Sequence, residues 1–200
     1  FVDYHNLRVD KETSEASLKI HGAALDLGGI GKGAACDTAV QAYQEAGVKA
    51  GIIAVGGSIG LYGEKPDGSL WRLAVRDPQS GDDKAEEMGL LDLASGFVST
   101  SGSYEKNFTE NGKTYHHILD PKTGYPAESG LVSVTVVSDS GALSDALSTA
   151  AFVLGEERGM SLLEHYDAGG VFIAEDGRVW VSDSLEDAFQ LTSDAYTLVS

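Results

Sequence analysis

The segment Asp26-Leu27-Gly28-Gly29-Ile30-Gly31-Lys32-Gly33 sets four glycines and a lysine behind a carboxylate and runs directly into a helical pattern at residues 34–46. With side chains missing over much of this stretch, its backbone can approach a ligand or another backbone unusually closely. Such a passage from extended chain into helix also presents unpaired N–H groups, which suit phosphate oxygens, and Lys32 adds a positive charge. The spacing fits neither the Gly-x-Gly-x-x-Gly dinucleotide fingerprint nor the Walker loop, because Lys32 is followed by Gly33 and Ala34 where the latter needs a hydroxyl residue. Two readings stand at this point: a phosphate cradle, and a turn whose glycines serve packing alone.

Phosphate is a demanding ligand for this chain, whose formal net charge is −17. Nucleic acid and anionic membrane surfaces are disfavoured as partners, since no basic stripe offsets the repulsion. A phosphate compound would need local compensation from Lys32, backbone N–H groups or a divalent cation. Cys36 is the only cysteine, which excludes an intrachain disulfide and argues for core filling rather than metal binding. No run approaches a membrane span and no signal-peptide pattern opens the chain. The abrupt start on Phe1-Val2-Asp3-Tyr4, without an initiator methionine, is expected to reflect a mature fragment or a truncated form.

With 200 residues, 42% of them hydrophobic, the chain can bury one substantial core, and no Pro- or Ser-rich linker divides it, so one domain over residues 1–200 is expected. Strands are expected at residues 2–9, 16–20, 51–58 (ending in glycines), 70–75, 89–93, 113–119, 131–138, 171–174 and 179–182, the last two joined by the turn Asp176-Gly177. The turn Glu110-Asn111-Gly112 precedes the strand at 113–119. Helices are expected at 34–46, with small or apolar residues at Ala35, Ala39, Tyr43 and Ala46, and at 141–154 and 156–166. The charged stretch 77–87 reads as a solvated loop. This mixed order predicts an α+β fold, with mixed or antiparallel sheets and packed helices, rather than regular α/β alternation.

Three groups of residues can carry chemistry. Asp145 and Thr149 lie four apart on one helix, hence on one face, and a carboxylate with a hydroxyl can give a hard cation two of its oxygen ligands. Such pairs also arise on ordinary exposed helices. Ala142, Ala146, Ala150, Ala151 and Phe152 make this helix largely apolar, however, and a buried carboxylate is costly unless paired or coordinated. Tyr115-His116-His117-Ile118-Leu119-Asp120-Pro121-Lys122-Thr123-Gly124-Tyr125-Pro126 ends a strand in a punctuated turn. Neighbouring strand residues point to opposite faces, so only one of the two imidazoles can face a given site, as a general base or as a structural group. Ser99-Thr100-Ser101-Gly102-Ser103-Tyr104 is a hydroxyl cluster that lacks the Gly-x-Ser-x-Gly nucleophile elbow; it reads as ligand-binding or as a plain turn.

Taken in order, residues 26–33, Ala54-Val55-Gly56-Gly57-Ser58, Trp71-Arg72 with Asp77-Pro78, residues 99–104, residues 116–126, and Val132-Ser133-Val134-Thr135-Val136 leading to Asp145-Ala146-Leu147-Ser148-Thr149 resemble the ApbE family of flavin transferases. The resemblance implies an ApbE-like, T-fold-related α+β domain. It implies an extracytoplasmic enzyme, in its full form a membrane-anchored lipoprotein, that uses FAD and Mg2+ to attach FMN to a threonine of an acceptor protein and release AMP; it also allows a homodimer. Carried over by position, Asp26, Lys32 and Leu119 would contact FAD. Gly29 through its carbonyl, Asp145 and Thr149 would hold Mg2+, and His117 would assist deprotonation of the acceptor threonine. Ser148 stands where some relatives carry a further metal-binding aspartate.

Full-length relatives extend by roughly a further third before the strand that starts here, so the isolated chain is expected to bind FAD poorly. Two other functions remain open at this level. One is a Mg2+-dependent FAD pyrophosphatase, with water in place of the threonine; the other is a flavin-binding protein without turnover.

Overall fold

The structure is a computed structural model and describes residues 3–81 and 85–199. After a 3-10 turn at Tyr4–Asn6, β1 (Leu7–Asp10) and β2 (Glu15–Leu18) pair as a small separate hairpin. The glycine segment then leads into α1 (Gly31–Glu45). There follow β3 (Gly51–Val55), β4 (Ser58–Tyr62), β5 (Trp71–Arg76), β6 (Glu87–Leu93), β7 (Gly96–Gly102), β8 (Asn107–Glu110), β9 (Lys113–His116) and β10 (Leu131–Ser138). Helices α2 (Gly141–Leu154) and α3 (Glu156–His165) precede β11 (Gly169–Ala174), β12 (Arg178–Val181), β13 (Phe189–Leu191) and β14 (Thr197–Leu198).

A seven-stranded sheet in the order β14-β12-β11-β10-β7-β4-β3 forms the middle layer; it is antiparallel except for the parallel pairing of β12 with β14. Strand alternation sorts its side chains to two cores. On β11, Val171 and Ile173 face the three-stranded sheet β13-β6-β5, where Met88, Leu91 and Phe189 are buried with them. Phe172 and Ala174 face the helices, packing with Leu147, Phe152 and Leu163. Being covered on both sides, β10 and β11 read in sequence as apolar runs. A third cluster of Cys36, Val40 and Ile53 seats α1 on β3 and β4. The α+β class and the antiparallel character expected from sequence are therefore observed, and no helix among the described residues is long and apolar enough to cross a membrane.

Several boundaries differ from expectation. Residues 4–6 form a 3-10 turn ahead of β1, and Val2, expected in that strand, lies outside the described residues, as do residues 82–84 of the expected loop. Helix α1 starts at Gly31 and buries Gly33, Cys36 and Val40, while Ala35 and Tyr43 face solvent. Its contact face is chosen by smallness rather than by hydrophobicity. Strand β9 stops at His116, and Leu119 joins only an isolated bridge to Pro126. The expected turn closes β8 onto β9, with Asn111 and Gly112 both at positive φ of 52° and 77°.

Candidate functional site

Helices α1 and α2 meet at their first turns, backbone against backbone. A Cβ on Gly33 would stand 1.8 Å from the Gly141 carbonyl oxygen, and one on Gly141 would stand 2.3 Å from that of Gly33. Only glycine on both sides permits this approach. Each helix then caps the other. From α1, Asp37 accepts hydrogen bonds from the Gly141 N–H through Oδ1 at 2.7 Å and from the Ala142 N–H through Oδ2 at 2.8 Å. From α2, Asp145 Oδ2 accepts from the Gly33 N–H at 3.0 Å. Neither helix has an acidic residue in its own first turn, so each borrows the negative charge its N-terminus favours from its neighbour. Asp37 was not singled out from sequence, because its donors lie more than a hundred residues away.

This clasp divides the glycine segment into two parts. The Gly33 N–H is committed to Asp145, and the Gly31 N–H to the Leu27 carbonyl at 2.7 Å, so Gly33 serves helix packing rather than a ligand. The part that can meet a ligand lies just before it. Asp26 Oδ1 accepts the Gly28 N–H at 2.7 Å, closing an Asx turn that presents Gly29 to α2. A Cβ on Gly29 would lie 3.6 Å from Thr149 Oγ1.

Asp145 is 1% exposed, as the apolar character of its helix predicts. Its Oδ1 receives no aligned hydrogen bond among the described residues, and Lys32 Nζ stands 3.0 Å from it while also donating to the Gly28 carbonyl at 3.1 Å. The contact with Oδ1 is thus one of charge. The glycine segment thus lies on α2 through two contacts, Lys32 with Asp145 and Gly29 with Thr149, and Asp26 closes the turn beside Gly29. Among the described residues no three acidic, histidine or cysteine side chains cluster, so a cation here would rest on one carboxylate, with hydroxyl, carbonyl and ligand oxygens completing the shell. A buried carboxylate oxygen without a hydrogen bond among the described residues, on a helix that carries a hydroxyl residue one turn on, offers the oxygen chemistry a hard divalent ion takes.

The two histidines point apart at the end of β9. His116 turns inward, its Nε2 3.1 Å from the Ala127 carbonyl and its ring edge-on to Phe152 at 5.5 Å; burial holds its imidazole below the usual range. His117 is exposed, and its backbone N–H donates to the Lys106 carbonyl at 3.1 Å. Leu119 is half exposed beyond the strand end. Among the described residues neither His117 nor Leu119 is tied by a hydrogen bond or ion pair to the Lys32–Asp145 group. A cleft of about 790 Å³ opens beneath the β8–β9 hairpin, lined by residues that include Ser103, Tyr104, His116 and Glu175, and does not contain Gly29, Asp145 or Thr149.

The expected hydroxyl cluster is not a turn. Ser99, Thr100 and Ser101 lie within β7, and their side chains bridge neighbouring elements. Ser99 Oγ bonds Ser58 Oγ at 2.9 Å and Ser144 Oγ at 2.8 Å; Ser101 Oγ reaches Ser148 Oγ at 2.9 Å and Thr149 Oγ1 at 3.1 Å. Ser148 is fully buried and faces this interior network. A string of small hydroxyl residues conceals strand periodicity, which is why both β7 and its role escaped the sequence.

Residues 1–172 match the family model described as the ApbE family. The chain is 35% identical over 187 residues to the FAD:protein FMN transferase of Treponema pallidum, covering 88% of this chain and 51% of that protein. It is 32% identical over 163 residues to the protein of the same name from Haemophilus influenzae, covering 82% of this chain and 47% of that one. Among solved structures, the ApbE protein of Thermotoga maritima superposes with a TM-score of 0.84 at 35% identity, covering 93% of this chain and 60% of that one. The chain thus spans about half the length of the curated relatives it matches.

Proposed function

The chain belongs to the ApbE family, and from that premise we propose that it carries the catalytic centre of an enzyme that transfers the FMN moiety of FAD to a threonine hydroxyl of an acceptor protein, releasing AMP. The observation that carries this reading is that two distant segments meet where α1 and α2 touch, with Lys32 beside the buried Asp145 carboxylate and Gly29 against Thr149. Curated relatives named FAD:protein FMN transferase support flavin as the cargo and a protein as the acceptor.

In the reaction, the acceptor oxygen forms a bond to the phosphorus of the FMN half, and the bond from that phosphorus to the bridging oxygen breaks, leaving the oxygen on AMP. The acceptor proton is taken by His117, which is exposed and so open to an incoming protein segment. Lys32 provides a positive charge for the pyrophosphate, an essential contribution in a chain of net charge −17. The Gly29 carbonyl, Asp145 and Thr149 would hold Mg2+, which when bound neutralises phosphate oxygens and favours departure of AMP. Asp26 keeps the turn closed so that Gly29 stays opposite Thr149.

The test incubates the chain with FAD, Mg2+ and a threonine-containing acceptor peptide, and weighs the peptide by mass spectrometry. Covalent FMN on the peptide, lost in His117→Ala and in Asp145→Ala, is expected. Flavin appearing only as free FMN with AMP would replace the transferase reading with a pyrophosphatase.

A further inference from the structure

Thr149 can serve a cation only through a lone pair, so its own hydroxyl proton must be directed elsewhere. Two acceptors are in reach: the Asp145 carbonyl at 3.3 Å and Ser101 Oγ at 3.1 Å. The Asp145 carbonyl is already engaged. It accepts Ser148 Oγ–H at 3.0 Å, and as a carbonyl inside α2 it also takes the helical N–H four residues on, which fills its two lone pairs. The Thr149 proton is therefore left to Ser101. Ser101 must then pass its own proton to Ser148 Oγ, 2.9 Å away.

We propose that Thr149, Ser101 and Ser148 form a one-way hydroxyl chain ending on the Asp145 carbonyl, and that Ser101 is a positioning residue that frees the lone pairs of Thr149 toward Gly29. The proposal rests on the reading of Thr149 as a cation ligand. Every donor in the chain has one acceptor, and the only contact left over is the longest, at 3.3 Å. Chains of hydroxyls polarise one another, so the proton drawn from Thr149 leaves its oxygen more basic than that of an isolated alcohol. This also assigns Ser148 a role. Standing where some relatives are expected to carry an acidic ligand, it is fully buried and supplies the sink of the chain instead of a ligand.

A built-in control lies nearby. Ser99 donates to Ser58 Oγ at 2.9 Å and stands 2.8 Å from Ser144 Oγ, a buried hydroxyl cluster that does not include Thr149. The experiment titrates Mn2+ alone into the 200-residue chain and reads free ion by electron paramagnetic resonance, with the melting temperature of each variant measured without metal. Ser101→Ala is expected to weaken Mn2+ about tenfold, the usual scale for partners that orient metal ligands. Ser148→Ala weakens it less, and the double variant is no weaker than Ser101→Ala, because the chain is already cut. Ser99→Ala lowers the melting temperature and leaves Mn2+ affinity unchanged. Should Ser101→Ala not fold, Ser148→Ala reads the same chain. Wild-type affinity in Ser101→Ala or, in that case, in Ser148→Ala, alongside weakened binding in Thr149→Val, overturns the chain and keeps the cation site. No Mn2+ binding by the wild type, or none lost in Thr149→Val, overturns the cation reading and this inference with it.

Discussion

Replacing Gly33 by alanine adds one methyl group at the point where the two helices touch. That carbon would lie 1.8 Å from the Gly141 carbonyl oxygen, 2.4 Å from its carbonyl carbon and 2.8 Å from Asp145 Cβ, against ordinary contacts of 3.4–4 Å. The obstacle is backbone, so no rotamer change relieves it; the helices must separate by roughly 1.5 Å. Overpacking that side chains can absorb costs about 1–3 kcal/mol. Separation here also stretches the hydrogen bonds of Asp37 and Asp145, charge-assisted contacts worth about 1.5–3 kcal/mol each. Alanine's better helix propensity returns only about 1 kcal/mol. The net expectation is a loss of at least about 3 kcal/mol, which for a chain of this size lowers the melting temperature by roughly 6–12 °C. Urea unfolding and calorimetry read it directly. The control is Gly31→Ala in the same helix, where the new carbon meets only Leu27 Cβ at 3.9 Å and the propensity gain stands alone. If Gly33→Ala is as stable as Gly31→Ala, the helices are not in backbone contact and the proposed origin of the site fails.

Asp37→Ala removes the two hydrogen bonds that Asp37 accepts from the first turn of α2 and is expected to cost about 2–3 kcal/mol, with Asp37→Asn costing about half of that, as urea midpoints will show. His116 gives a pH signature. Its folded pKa lies below its unfolded value through burial, so the unfolded chain binds the extra proton first and stability is lost as pH falls from the ordinary 6.5 toward the lowered value. Melting temperatures should therefore drop as pH falls below about 6.5, and His116→Phe should flatten that drop; an unchanged slope counts against the inward placement of this ring.

The sequence exposes those features whose cause is local. Strand β10 and helix α2 are legible to the residue, because a β-branched run and a Ser140 cap followed by a periodic apolar helix each act within a few positions. Strands β4, β7, β8, β13 and β14 are not. Gly60 in β4 and the serines of β7 carry little hydrophobic signal, and their strand form comes from sheet neighbours brought from elsewhere. The site divides likewise. Asp145 and Thr149 announce themselves by helical spacing, and the glycine segment by composition. Asp37 and Ser101 acquire meaning only when α1, α2 and β7 are packed together, since their partners are 104 and 48 residues away. Glycine is ambiguous for the same reason: Gly29 and Gly33 look alike in sequence, yet one faces Thr149 and the other a carbonyl.

The pair formed by Lys32 and Asp145 is unequal, and the inequality can be measured. The Asp145 side chain is 1% exposed, whereas that of Lys32 is 37% exposed. Lys32→Met deletes the positive charge and leaves a buried carboxylate whose hydrogen-bond donor among the described residues is the Gly33 N–H, a situation that costs about 3–5 kcal/mol. Asp145→Asn deletes the other charge, but the ammonium left behind already reaches water. Its cost is chiefly the weakening of one charge-assisted hydrogen bond, about 1 kcal/mol. Lys32→Met should therefore be the less stable variant, and Mn2+ should raise its melting temperature more than that of the wild type, since an added cation replaces what the mutation removed. Equal losses, or a larger loss for Asp145→Asn, would show that Asp145 matters mainly as the cap of α1. The expected order would instead mean that burying this carboxylate commits the fold to a neighbouring positive charge, so that the pairing is set by the same packing that holds the two helices together.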